Sequence, residues 1–187
     1  MKKLLLIIFS VGFLAIIVSS STSTIFLGRT SLFNNSFSVA ISSNTDIKLN
    51  EIIPNPNGDD NAPMPNGEWV ELYNSGSSPI DVNGWRLYDA IDSHELDITA
   101  ANVLGGSTII PTHGFLVVYR NCDSDFSLNN DSSGDTVRLY DGLISVGNLI
   151  DSYNYTNPNA SWVFARIPDG NGLWVASSTQ TPGGPNV

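Results

Sequence analysis

Apolar and polar positions alternate along residues 68–74, with Val70 and Leu72 on one side and Trp69, Glu71 and Tyr73 on the other. A period of two is the repeat of a β-strand, whose successive side chains point to opposite faces. The run NSGSSP at 74–79 is dense in turn-forming residues and ends this strand. A second turn, DVNG at 81–84, leads into another alternation, with Trp85, Leu87 and Asp89 on one side and Arg86 and Tyr88 on the other. Around this pair the chain keeps the same character. Residues 47–53 form a first strand, stopped by Pro54 and Pro56, and 94–99 alternate again. The short β-branched run FLVVYR at 115–120 reads as a buried central strand. Residues 136–140 and 149–155 form a further pair, with Asp141-Gly142 beginning the turn between them, and 162–167 follow. About seven or eight short strands separated by turns predict an all-β sandwich. Trp69 and Trp85 are expected to seed its core, since each ring buries roughly 150–250 Å².

The first residues behave differently. Met1-Lys2-Lys3 precede an apolar run at 4–18, interrupted only by Ser10 and Gly12, and small polar residues follow at 19–24. This is the layout of a secretory signal, expected as a hydrophobic helix over 1–21 and removed somewhere between Ser19 and Ser31. A retained membrane anchor is the competing reading, although the run falls short of the ~20 apolar residues that span a bilayer. Residues 22–46 read as a Ser/Thr/Asn-rich linker, with FSVAI at 37–41 as an added strand, and 47–187 as the domain.

Charge then narrows the function. The formal net charge is −10, and Arg86, Arg120, Arg138 and Arg166 are dispersed, so no basic surface for phosphate backbones is expected. The lone Cys122 forms no internal disulfide, and neither His94 nor His113 lies in a catalytic motif. Two histidines do not suffice for the usual structural zinc site. Glu68 and Glu71 stand at odd spacing on one strand, so they point apart and are read as edge or salt-bridging groups, not as a glycosidase pair. Asp123, Asp125, Ser127, Asn129 and Asp131 alternate like the start of a calcium loop, but Leu128 and Gly134 occupy the positions where an EF-hand needs Gly and Glu. Asp123, Asp125 and Asp131 are therefore weak calcium candidates, and no cofactor is otherwise expected. Asp59, Asp60 and Asn61, in the proline-limited loop at 54–67, are the candidate binding residues, because recognition tends to sit on loops. Exchanging 57–65 for a Gly/Ser linker of equal length is expected to change stability little.

Several segments also share a family likeness: NEIIPNP at 50–56, GEWVELYN at 67–74, GWRLYD at 84–89, SGDTVRLYDG at 133–142, LIDSYNY at 149–155, Ser161-Trp162, RIPDG at 166–170 and TPGGPN at 181–186. In this order they resemble the lamin tail domain, the immunoglobulin-like module of nuclear lamins that is also found in many secreted prokaryotic proteins. The resemblance runs from Ile47 to the end and implies an immunoglobulin-like β-sandwich without catalytic activity. It also implies Arg166 and Asp169 in a structural role, tying the turn at 168–170 to the sheet. The coiled-coil rod of lamins has no counterpart here, since no long heptad pattern occurs. Lamin tails are associated with DNA and chromatin proteins, which the acidic charge opposes. The expected role is a secreted or cell-surface binding or adhesion module for an extracellular or cell-surface protein or glycan. Membrane contact would come only through an uncleaved N-terminal segment. The alternatives are an accessory protein for a separately encoded secreted nuclease or hydrolase, and a calcium-stabilised element of the cell envelope.

Overall fold

The computed structural model describes residues 46–187 in full and the backbone of 5–9 and 13–17. The chain divides into two units, Met1–Ser43 and Asn44–Val187. In the first, β1 (Leu5–Phe9) pairs antiparallel with β2 (Phe13–Ile17). This corrects the helix expected over 1–21. Ile7, Ile8, Ile16 and Ile17 are β-branched, and with Phe9 and Phe13 they favour extended backbone over helix. Apart from Asp46, the remaining residues of the expected signal and linker, including 37–41, lie outside the described residues. Among the described residues no helix is long and apolar enough to cross a membrane.

The second unit is built from two antiparallel sheets. One has the order β13-β12-β3-β4-β9, from β3 (Ile47–Ile53), β4 (Trp69–Asn74), β9 (Phe115–Tyr119), β12 (Val163–Ile167) and β13 (Leu173–Ser177). The other has the order β11-β10-β6-β7, from β6 (Arg86–Tyr88), β7 (Glu95–Asp97), β10 (Asp135–Tyr140) and β11 (Leu149–Tyr155). A small ribbon of β5 (Ile80–Asp81) and β8 (Ile109–Ile110) completes the fold. Ile47, Leu49 and Ile52 of β3, Val70 and Leu72 of β4, and Leu116 and Val118 of β9 share one core with Leu87, Leu96, Val137, Leu139 and Ile150 of the opposite sheet. This face-to-face burial makes the unit a β-sandwich of the expected immunoglobulin-like kind.

A bulge decides what the larger sheet shows on its outside. The register between β3 and β4 slips between Leu49 and Glu51, so Asn50 is the extra residue. After the bulge, Ile52 returns to the core, while Glu51 and Ile53 turn outward. A second apolar cluster gathers on that outer face from Ile53, Trp69, Val117, Tyr119, Val163 and Ala165, with Met64 packed on it.

The two tryptophans thus part company. Trp69, only 5% exposed, is buried in the outer cluster and not between the sheets. Trp85 is partly buried against the main core. Trp69→Ala is expected to cost on the order of 3–5 kcal/mol, and Trp85→Ala about 1–2 kcal/mol because part of that ring stays in water. Urea denaturation of both variants measures the difference; equal losses would show that the two rings are buried alike.

Candidate functional site

Three loops meet at one end of the sandwich, and both acidic candidates lie on them. In the β3–β4 loop, the Asp60 carbonyl accepts the Glu68 amide at 2.9 Å and the Asp59 carbonyl accepts the Ala62 amide at 3.1 Å. Asp59 Oδ1 accepts the Asn61 amide at 3.0 Å. Gly67 adopts φ 79°, and a Cβ there would stand 2.7 Å from the Asp60 carbonyl oxygen, so only glycine closes this loop without strain. Asn130 Nδ2 donates to Asp60 Oδ2 at 2.6 Å, joining the loop to the β9–β10 connection. A second tie is the Met64 amide donating to Asn121 Oδ1 at 2.9 Å. The β6–β7 loop joins through Asp89, whose Oδ2 accepts the Ser127 amide at 3.2 Å and lies 2.9 Å from His94 Nδ1. It is held also by Asp135, whose Oδ1 accepts the Ala90 amide at 2.9 Å.

Beneath this end Glu68 is buried. Its Oε2 meets Arg120 Nη1 at 3.1 Å, and its Oε1 accepts the Leu128 amide at 3.2 Å. Burial pushes the Glu68 carboxyl up to about 8, against the pull of Arg120 and the Leu128 amide. The salt-bridging role expected for Glu68 is therefore present. Burial also raises the Asp60 carboxyl, with Asn130 and Arg120 opposing. Asp59, Asp92, Asp125 and Asp131 remain exposed on the rim.

A second polar cluster lies on the outer face of the larger sheet. Glu51 and Glu71 are directly opposite in register, and both are fully buried. The last residues of the chain form a strap over them. The Thr181 amide and hydroxyl donate to Glu51 Oε2 at 3.2 and 3.0 Å, and the Gly183 amide donates to Glu71 Oε2 at 2.6 Å. Asn50 Nδ2 donates to Glu71 Oε1 and to Asp169 Oδ1, each at 3.0 Å. Asn186 Nδ2 donates to the carbonyls of Asn50 and Arg166, both at 3.0 Å. Burial drives the carboxyl of Glu51 up to about 7 and that of Glu71 up to about 8. Glu71, expected as an edge or salt-bridging group, is neither: the strap covers it and its partners are amides.

The turn at 168–170 is tied to the sheet as expected, through Asp169 and through the Gly170 amide donating to Asn50 Oδ1 at 2.9 Å. Arg166 does not meet Asp169. It pairs with Asp151 of the opposite sheet at 2.9 Å, and its Nε donates to the Leu49 carbonyl at 2.8 Å.

A family model, the lamin tail domain, matches residues 40–157. The chain belongs to the lamin tail domain family. No curated protein and no solved structure matches it. The family is an immunoglobulin-like domain, consistent with a non-catalytic module. The matched span of this lamin tail domain includes the three acidic loops but ends before β12, β13 and the strap.

The buried carboxylates of this lamin tail domain are committed to holding the fold. Each is engaged by amides or by arginine, and Glu68 and Glu71 point into separate clusters. The rim carboxylates are partly used in the same way: Asp123 Oδ1 accepts the amides of Asp125 and Phe126, each at 2.9 Å, and Asp131 Oδ1 accepts the Ser133 amide at 2.8 Å. Asp123, Asp125 and Asp131 are not brought together as a ligand set. Among the described residues no group of three or more His, Cys, Asp or Glu side chains is placed to hold a metal ion. Cys122 is free and exposed.

The loop itself differs from the sequence reading in one respect. Residues 57–65 contribute Met64 to the outer cluster and Asp60 to Asn130, so a Gly/Ser exchange would remove packing as well as surface. The exchange is therefore expected to lower stability by more than closure entropy alone implies.

Proposed function

We propose that this lamin tail domain is a non-catalytic secreted or cell-surface binding module that recognises an extracellular protein through its acidic end. The observation that carries this reading is the Asn130–Asp60 bond at 2.6 Å, which makes one ordered surface of two acidic loops far apart in sequence. Ordering before binding lowers the entropy lost on association. With Arg120 buried against Glu68 and Arg138 paired with Asp92, the charge left on the rim is negative. A partner that presents Lys and Arg fits this surface, whereas nucleic acid and acidic glycans are repelled. The lysines and apolar run at the start of the chain support export, where such a partner would be met.

The test replaces Asp59, Asp125 and Asp131 by Asn together. Asn keeps the carbonyl acceptor that Asp59 and Asp131 use for their turns and removes only the charge. Binding to the native cell surface or matrix is expected to weaken about ten- to a hundredfold, mostly through slower association, and the loss should shrink at high salt. Undiminished binding by the triple variant would remove the acidic end as the recognition surface.

A further inference from the structure

The edges of the two sheets are not equally protected. Beyond β9, Val103 bridges to Val118, and the Asn102 carbonyl accepts the Tyr119 amide at 2.8 Å, so this edge is covered. Strand β7 is only three residues long, and its Glu95 and Asp97 both pair with Arg86. Strand β11 directs Asp151 toward the opposite sheet, where it meets Arg166 and the Leu49 amide. Short edges, charged edges and inward-pointing charges are the usual devices against edge-to-edge pairing.

Strand β13 has none of them. Its sequence LWVAS contains no charge and no proline, and its register with β12 runs unbroken from Leu173 to Ser177. Among the described residues its other side has no strand partner. Leu173 is 83% exposed and Val175 is 43% exposed, both on the outer face. Trp174 faces the other way, stacked on Tyr153 at 3.9 Å with the Arg166 guanidinium 4.7 Å from its ring centre, which stiffens the strand.

Charge selects the occupant. The whole chain carries −10, so two copies repel over most of their surface. From Gly170 to Val187, however, no side chain is charged. This neutral stretch contains the open edge, whereas the longer neutral run at 98–119 carries β9, whose edge is covered. We propose that β13 pairs antiparallel with β13 of a second copy, joining the two larger sheets across a two-fold axis at Val175. Val175 then faces its counterpart, and Leu173 lies opposite Ser177 of the other copy. A two-fold contact needs a self-complementary patch, which a neutral strand with an exposed apolar face supplies. One short strand buries less than the roughly 800 Å² per partner of a stable interface. The dimer is therefore weak and depends on concentration.

Sedimentation velocity on the full chain carrying Cys122→Ser, which removes adventitious disulfides, tests the association. The sedimentation coefficient is expected to rise with concentration toward that of a dimer. Val175→Lys, at an exposed position where the fold is kept, is expected to weaken association at least tenfold, and Leu173→Lys gives a second measure. In the same background Val175→Cys should form a covalent dimer on mild oxidation, and Leu149→Cys on the β11 edge should not. A chain that stays monomeric without a Val175→Cys cross-link, or association unchanged by both lysines, would overturn the proposal.

Discussion

Raising the pH from about 5 to about 8.5 is expected to destabilise this lamin tail domain by several kcal/mol. The cause is the carboxylate pair under the strap. Glu51 and Glu71 have folded values near 7 and 8, both above the ordinary 4.5. Below about 4.5 both states hold the protons and the stabilisation is fully present. As the pH rises, the unfolded chain releases its protons first, and the folded chain must either keep them or bury charge. The contribution is lost as the pH passes through the folded values. One pKa unit corresponds to about 1.4 kcal/mol, so the Glu71 shift alone is on the order of 5 kcal/mol, against a total of ~5–15 kcal/mol for a typical domain. Glu68 acts in the same direction. Asp169, on the turn packed against the pair, is a further acid that opposes ionisation of both groups. Tyr119 of β9 feels the Glu71 charge as well. Asp81 and Asp131, whose values are lowered, lose their contributions only in stronger acid. Urea midpoints measured across this range check the slope. Glu71→Gln should flatten it, at the cost of about one hydrogen bond, ~0.5–1.5 kcal/mol, in acid. Midpoints that hold steady or climb with pH would mean that the pair is ionised already at neutrality.

Above pH ~8, where Glu68 is ionised, Arg120→Ala is expected to cost about 3–5 kcal/mol, because it leaves that carboxylate buried without its cation. Arg120 also donates through Nε to the Asp123 carbonyl at 3.3 Å. The variant should therefore loosen the β9–β10 connection and expose its amides to faster hydrogen exchange. Combining Arg120→Met with Glu68→Gln should recover most of the stability. Gln retains an acceptor for the Leu128 amide, and no unpaired charge remains inside. If the single variant loses less than ~1 kcal/mol in urea, the pair is solvated and does not anchor the acidic end.

The strands and their turns were legible in the sequence, because alternation and turn chemistry are local properties. Val70 and Leu72 point to the core and Glu71 points away, as the period of two at 68–74 requires. The family likeness was legible for the same reason, since each motif is a strand with its flanking turn. The acidic character of the loop end follows from composition.

What the amino-acid order does not carry is which outward face meets another part of the chain. The bulge at Asn50 shifts Glu51 into register with Glu71, and no local pattern announces it, because the slip is defined only relative to β4. Alternation places Trp69 on its face but not in its cluster, since an outer face is buried only if something distant covers it. Met64 and the strap from Thr181 to Asn186 supply that cover. Likewise Arg166 finds Asp151 across the sandwich rather than Asp169 nearby, because pairing follows distance in space. The sequence by itself determined strands, turns and the sign of the charge, which depend on neighbouring residues. Tertiary structure alone decided which carboxylates are buried, which loops join and which edge stays open, because those depend on contacts between residues far apart in the chain.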